Sequence, residues 1–467
     1  MGRAALVLSW VCHYWRLVAL SNQNLWGAID FKKLDWVQES LTRCRVSGLS
    51  IHLTGLWKDL SLIVPHILAE LPRIKVLQLE SQLYDSPERP IPLDERWSQP
   101  TSRLTDLSLS NFTIPDGLSA STAPALRRLS LEYCSFDVAR LRGFNLIELS
   151  LTENQEGFEP EEILDELEHL PELEMLTLEE VMYEGTSPLS DRISLPRLRY
   201  LSIGCPCDTL LCFLDSIFVP NDIGLNIMSK STTNMSSVII ALRNCHGGDQ
   251  WSITIAAIRW INEYFISFDM TRVISTGESR PTDICFSWEW DVGTEEAHEV
   301  DRIFTSFDIS LLVDLELSSH VSDPPSEIWT NLFNSAFALR KLLVAGGYSN
   351  SLISALVPPE GRSLWPNNLD SEALVHGGPN EWFQCCKFPR LQTLELQRRN
   401  PHYCWHDSEL GPWPGTGAAF AKLMHIRNIF GLRLTTVVIA EYELPAEVLQ
   451  SLGQCADQFQ YNNFEWE

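Results

Sequence analysis

Leu126-Arg127-Arg128-Leu129-Ser130-Leu131-Glu132-Tyr133-Cys134 is answered twenty residues later by Leu146-Ile147-Glu148-Leu149-Ser150-Leu151-Thr152-Glu153-Asn154. Both stretches read L-x-x-L-x-L-x-x-C/N, and their alternating apolar positions have the period of a strand with one buried face. The L-x-x-L-x-L spacing, with apolar replacements, extends to Ile74/Leu77/Leu79, Leu104/Leu107/Leu109, Leu173/Leu176/Leu178 and Leu198/Leu201/Ile203. Marked at the second apolar residue, successive steps are 30, 22, 20, 27 and 25 residues. A connection of that length returns the chain to the same end of the sheet, which predicts parallel strands adjacent in chain order.

Steps of 20 to 29 residues with this consensus define leucine-rich repeats. The expected fold class is therefore α/β: an irregular leucine-rich-repeat solenoid, with a parallel sheet on the concave side and helices or loops outside. The ninth position is Cys134 and Asn154 in the two full matches but Gln82, Phe112, Val181 or Pro206 elsewhere, so irregular turns are expected. One return reads as helix over 159–170, with Pro160 in the first turn, acids at the N-terminal dipole and a stripe of Ile163, Leu164, Leu167 and Leu170. Pro171 ends it. The repeat fades after Ile203 and returns at Leu312/Leu315/Leu317, Leu339/Leu342/Val344, Leu391/Leu394/Leu396 and Leu434/Val437/Ile439. Alternating strands at 222–228, 251–257 and 282–290 favour continuation of the repeats over a separate domain. Loop insertions are expected near 229–250, 345–388 and 398–418, a helix at 418–430 and a terminal cap at 443–461.

The chain carries 35 Lys and Arg against 61 Asp and Glu, a formal charge of −26. Such a surface repels phosphate backbones and anionic headgroups, so neither nucleic acid nor membrane is an expected partner. No apolar run reaches the roughly 18 residues of a spanning helix. His13 and Arg16 interrupt the apolar start from Ala4 to Cys12 and no signal-peptide cleavage site is expected after it, and Leu6 stands where myristoylation wants Ser or Thr. Twelve cysteines without regular spacing suit a reducing compartment. The expected location is intracellular, with cytoplasm and nucleus both open.

Catalytic chemistry finds no foothold, and neither an enzyme nor a cofactor is expected. His402-Tyr403-Cys404-Trp405-His406 offers three metal ligands where zinc needs four suitably placed groups, so no metal is expected. Cys205-Pro206-Cys207 and Cys385-Cys386 match no redox or zinc-knuckle spacing. Gly415-Thr416-Gly417 lacks the third glycine of a dinucleotide loop, and no Walker, nucleophile-elbow or H-E-x-x-H motif occurs.

With the leucines inward, the residues between them face the concave side. That column reads Gln78, Ser108, Ser130, Ser150, Thr177 and Ser202, flanked by Asp106, Glu132, Glu148 and Glu179, and further along by Asp314, Glu316 and Glu395. As a target-binding face, comprising Ser108, Ser130, Glu132, Glu148, Ser150, Thr177, Glu179 and Ser202, it would suit a basic partner. Crowding on an inner curve explains the small side chains equally well.

At the N-terminus, Val11-Cys12-His13-Tyr14-Trp15-Arg16-Leu17-Val18-Ala19-Leu20-Ser21, followed by Leu25-Trp26, reads as an amphipathic helix and an apolar anchor. A cap over the first repeat would show the same pattern. The motif V-C-x-x-W-R-x-V-A-L-S with L-W resembles the last helix and exit of the F-box in fungal F-box proteins with leucine-rich-like repeats. The segment from Trp36 to Arg43, Phe218-Val219-Pro220 and the stretch from Leu423 to Val438 resemble that group too. The resemblance implies a partial F-box over 1–30 and a solenoid over 31–467. It implies adaptor contacts at Val11, Cys12, Trp15, Arg16, Leu20, Leu25 and Trp26. The function it implies is that of a substrate receptor in a Skp–cullin–F-box ubiquitin ligase, its repeats presenting a target protein. Only ten residues precede Val11, so the family's opening Leu-Pro-x-Glu stretch has no counterpart and docking on the Skp adaptor is open to question. A stand-alone repeat scaffold without ligase coupling is the alternative.

Overall fold

The computed structural model describes residues 7, 9–30, 33–45, 48–82, 91–93, 97, 99–114, 116–154, 157–183, 192–220, 222–229, 235–245, 252–262, 265–273, 282–289, 307, 309–319, 335–346, 390–397, 433–440, 446–454 and 456–462. The chain is mixed α/β and divides into two compact units, Met1–Ile223 and Gly224–Glu467. The division thus falls at 223/224, and residues near 30 belong within the first unit.

In the first unit, strands β1 (Ala28–Ile29), β2 (Leu49–Leu56), β3 (Ile74–Gln82), β4 (Asp106–Ser110), β5 (Arg128–Glu132), β6 (Glu148–Thr152), β7 (Met175–Glu179) and β8 (Tyr200–Cys205) pair in chain order. Every pairing is parallel. From β2 to β8 one register holds: Ile51, Leu77, Leu107, Leu129, Leu149, Leu176 and Leu201 form one apolar column, and Leu53, Leu79, Leu109, Leu131, Leu151, Leu178 and Ile203 the next. All fourteen are buried. Each contributes about 1.5–3 kcal/mol relative to exposure, so a one-residue slip, which would turn a whole strand's leucines outward, is strongly disfavoured.

Helix α1 (His13–Ser21) precedes β1, and the connections after the strands contain helices α2 (Leu34–Arg43), α3 (Trp57–Leu68), α4 (Pro160–Leu167) and α5 (Cys207–Asp215). Helix α4 forms where expected, with a capping box between Glu159 and Glu162 and with Ile163, Leu164 and Leu167 buried. Two more two-residue parallel pairs, Ile91–Pro92 with Phe112–Thr113 and Ile193–Ser194 with Ile217–Phe218, lie on the returns.

The strand exits follow one rule. Asn111, Tyr133, Glu153 and Glu180, each the first residue after its strand, have φ of 67°, 51°, 50° and 55°. Their N–H groups donate to carbonyls at the end of the neighbouring strand, those of Glu132, Thr152, Glu179 and Gly204 respectively, the first three being the last residue of their strand and Gly204 the last but one of β8. Pairing therefore runs one residue past the strand, and the left-handed backbone turns the chain off the sheet. Asparagine tolerates this conformation, whereas Tyr133, Glu153 and Glu180 each carry a cost of about 1–2 kcal/mol that the extra hydrogen bond and the packing below it offset.

The second unit contains β9 (Gly224–Ser229), α6 (Met235–Cys245), β10 (Ser252–Asn262), β11 (Phe265–Val273), β12 (Thr282–Glu289), β13 (Asp314–Ser319), β14 (Lys341–Gly346), β15 (Thr393–Gln397), β16 (Leu434–Ala440), α7 (Ala446–Gln454) and β17 (Ala456–Asn462). From β13 to β17 the strands again pair parallel in chain order, aligning Leu315, Leu342, Leu394, Val437 and Phe459. Between β9 and β13 the expected run of one-strand repeats gives way to antiparallel pairing of β10 with β11 and of β11 with β12, while β9 joins β12 and β13 joins β10 in parallel. The cause is the link between β10 and β11: two residues permit a hairpin, whereas a parallel crossover needs a dozen or so. The stretch near 229–250, expected as a loop, contains α6, with Val238, Ile239, Ala241, Leu242 and Cys245 buried. The expected cap at 443–461 holds α7 and β17. The loops expected near 345–388 and 398–418 lie almost wholly outside the described residues, as does the helix at 418–430.

Candidate functional site: the polar sheet face of the first unit

Opposite the leucine columns, the parallel register aligns three polar ones. The middle column is His52, Gln78, Ser108, Ser130, Ser150, Thr177 and Ser202. Two residues toward the strand exits run Thr54, Glu80, Ser110, Glu132, Thr152, Glu179 and Gly204, and two residues the other way run Ser50, Val76, Asp106, Arg128, Glu148, Met175 and Tyr200. The structure thus brings Ser108, Ser130, Glu132, Glu148, Ser150, Thr177 and Glu179 onto one face. Their side chains are half-buried or exposed.

Ser202 departs from them. It is 2% exposed, and its hydroxyl donates to Glu179 Oε1 at 2.7 Å. It closes the β8 end of the face rather than offering a contact. At the other end His52, which sequence reading missed, extends the column and shares a short hydrogen bond with Gln78. Thr54 Oγ1 donates to Glu80 Oε2 at 3.0 Å.

Five acids and one arginine occupy the columns flanking the hydroxyls from β3 to β7: Glu80, Asp106, Glu132, Glu148 and Glu179 against Arg128. Arg128 lies between two of the acids, 2.5 Å from Asp106 and 3.3 Å from Glu148. Burial raises the Asp106 pKa, but hydrogen bonds from Thr105 and Arg128 and the charges of Arg128 and Lys75 outweigh it, and the carboxyl is held below its ordinary value. In the second unit Glu395, another expected acidic flank, pairs with Lys341 at 2.9 Å.

The two ninth-position residues behave differently. Cys134 donates to the carbonyls of Leu109 and Glu132 at 3.4 and 3.3 Å, and burial pushes its thiol up to about 11. Asn154 makes no side-chain hydrogen bond among the described residues. Cys205 and Cys207 are buried, and burial pushes the Cys205 thiol up. Raised thiol pKa values disfavour the thiolate that nucleophilic or redox chemistry requires.

The N-terminal segment is split. Cys12 is extended (φ −160°, ψ 173°) and interrupts the helix expected to run through it, so α1 starts at His13. Trp26 is 2% exposed: its indole N–H donates to the Ala19 carbonyl at 2.8 Å, and the Arg43 guanidinium stacks 5.1 Å from its ring centre. It is spent inside the fold and is not a free anchor. Leu20 and Leu25 are half-buried. Cys12 and Arg16 are exposed, and Val11 and Trp15 are 61% and 44% exposed, with Trp10, Tyr14 and Leu17 exposed nearby. Arg16 donates to the Ser9 carbonyl.

A cavity of about 190 Å³ lies where β2 meets α3, lined by Leu53, Thr54, Gly55, Leu56, Asp59, Leu60 and Ile63. Asp59 is its one titratable group, too few for acid–base work. Among the described residues no group of three or more metal-ligating side chains forms, and no helix is long and apolar enough to cross a membrane. The His402–His406 segment and Cys385-Cys386 lie outside the described residues. The sequence matches no protein-family model and no curated protein.

Proposed function

We propose that this chain is a non-enzymatic interaction protein: a leucine-rich-repeat solenoid whose first unit holds a basic segment of a target protein on the polar face of β3 to β7. The observation that carries the reading is the unbroken register, which over β3 to β7 stacks Gln78 and then four successive hydroxyls between columns that hold five acids and one arginine. Charge favours a cationic ligand there and disfavours nucleic acid.

We further propose that the N-terminal segment is a partial F-box, which would make the chain a substrate receptor of a Skp–cullin–F-box ubiquitin ligase in the cytoplasm or nucleus. The exposed apolar side chains of Tyr14 and Trp15 on α1, and of Val11 just before it, support it, because exposed apolar side chains grouped along a surface segment mark a docking site. Co-purification of the chain with a Skp adaptor tests this directly. Retention that Trp15→Ala and Val11→Asp together abolish, without loss of folded structure, supports ligase coupling. No retention favours the second reading, a stand-alone scaffold, which rests on the sheet face alone.

A further inference from the structure

We infer that the partner crosses the polar face as an α-helix, one turn over each strand from β3 to β7, with basic side chains at seven-residue steps along the Glu80–Glu132–Glu179 rim. This rests on the reading of that face as a partner surface and specifies what the surface accepts.

Three dimensions select a helix. The first is spacing along the face. Parallel strands lie about 4.8 Å apart, so any element crossing them meets an equivalent side chain at that interval. A helix repeats every ~5.4 Å and slips by only ~0.6 Å per strand. An extended chain presents like-facing side chains every ~6.6 Å or more and is out of step after one or two strands.

The second is width. The two flanking columns stand four residues apart along each strand, as with Arg128 and Glu132 on β5, which is about 13 Å. A helix with its side chains is about 10–12 Å across. It fits between the rims on a floor of Ser108, Ser130, Ser150 and Thr177, none of which is long enough to fill the channel, with the longer Gln78, hydrogen-bonded to His52, at the β3 end.

The third is the placement of charge. On the exit rim the acids fall on alternate strands, Glu80 on β3, Glu132 on β5 and Glu179 on β7, with Ser110 and Thr152 between. Two strands span about 9.6 Å and two helical turns about 10.8 Å, so cations at i, i+7 and i+14 meet successive acids. The opposite rim carries Asp106 and Glu148 with Arg128 between them and demands little further charge.

A photo-cross-linking residue introduced singly at Glu80, Glu132, Ser130 and Ser150 of the full chain, with the cross-linked residues mapped by mass spectrometry, tests the inference. Ser130 and Ser150, on adjacent strands, should mark residues three or four apart in one basic segment, and Glu80 and Glu132 residues about seven apart. Steps of one or two residues would mean an extended partner and overturn the helix while leaving the face as a partner surface. Labelling no stronger than from the same group at the exposed Leu62, off the face, or labelling of a second copy of this chain, would overturn both. The rim positions are exposed, so they report even where a bulky group at Ser130 or Ser150 disturbs the fold.

Discussion

Tyr133 and Glu153 stand at the exits of neighbouring strands, both with left-handed backbone, and the Tyr133 hydroxyl donates to the Glu153 carboxylate. The repeated exit geometry puts these side chains side by side. The hydrogen bond, then burial, then the charges of Glu153, Glu132 and Glu180 push the phenol up to about 12.

One tyrosine should therefore ionise late. Subtracting the ultraviolet pH titration of Tyr133→Phe from that of the natural chain should isolate a phenol with a pKa of about 12, against an ordinary value of about 10. Glu153→Gln should return it toward the ordinary value. Because the folded pKa lies above the unfolded one, the pair's stabilisation is complete below about pH 10 and is lost as pH rises toward 12. A difference titration centred near 10 would remove the bond.

The exit backbone makes a second prediction that depends on no side chain. At Glu180, φ of 55° favours glycine, so Glu180→Gly should be more stable than Glu180→Ala by about 1 kcal/mol. Both variants lose whatever the carboxylate does, and the difference isolates the backbone. At Ser150, inside β6, the order should reverse, since glycine weakens a strand interior. Denaturant midpoints of the four variants decide it, and alanine matching glycine at 180 would refute the left-handed exit.

How much of this was legible follows from which residues carry it. Leu129, Leu149 and Leu176 announce their strands because period-two alternation and a leucine three residues earlier coincide, and the structure lays these strands side by side in one parallel register. Strand β2 escaped because Gly48 stands where the first apolar residue of the pattern belongs. The αL exits were illegible: Tyr133, Glu153 and Glu180 are poor left-handed residues, and the conformation is imposed by a carbonyl waiting on the next strand. Of the polar column, the identities were readable but not the closure at Ser202 or the loss of Trp26 to the core, since both depend on what packs above them. Helix α6 was hidden by Ser, Thr and Asn on its leading side, which read as loop chemistry although its apolar stripe is intact.

The two faces of one strand should respond oppositely to truncation. Leu149 is fully buried between Leu129 and Leu176, so Leu149→Ala should cost about 2–5 kcal/mol. Ser150, its neighbour on the polar face, should tolerate alanine within about 0.5 kcal/mol. Equal costs, measured by chemical unfolding, would mean that the polar face is packed against something.

Arg128 offers the last test, because it answers to two acids across two strand pairings. Both pairs are partly exposed and screened, so each is worth about 0.2–1 kcal/mol at neutral pH, and Arg128→Met should lose roughly that sum. Asp106 supplies the sign with pH. Its carboxyl is held below its ordinary value in the folded chain, so its contribution is present above the unfolded value of about 4 and is lost as pH falls through the folded one. The gap in stability between the natural chain and Arg128→Met should therefore narrow in acid, and also in strong salt. Arg128→Glu should do worse than Arg128→Met, placing three carboxylates in one column. A gap that held constant from neutral pH into acid would show that Arg128 acts through the packing of its stem rather than through its charge.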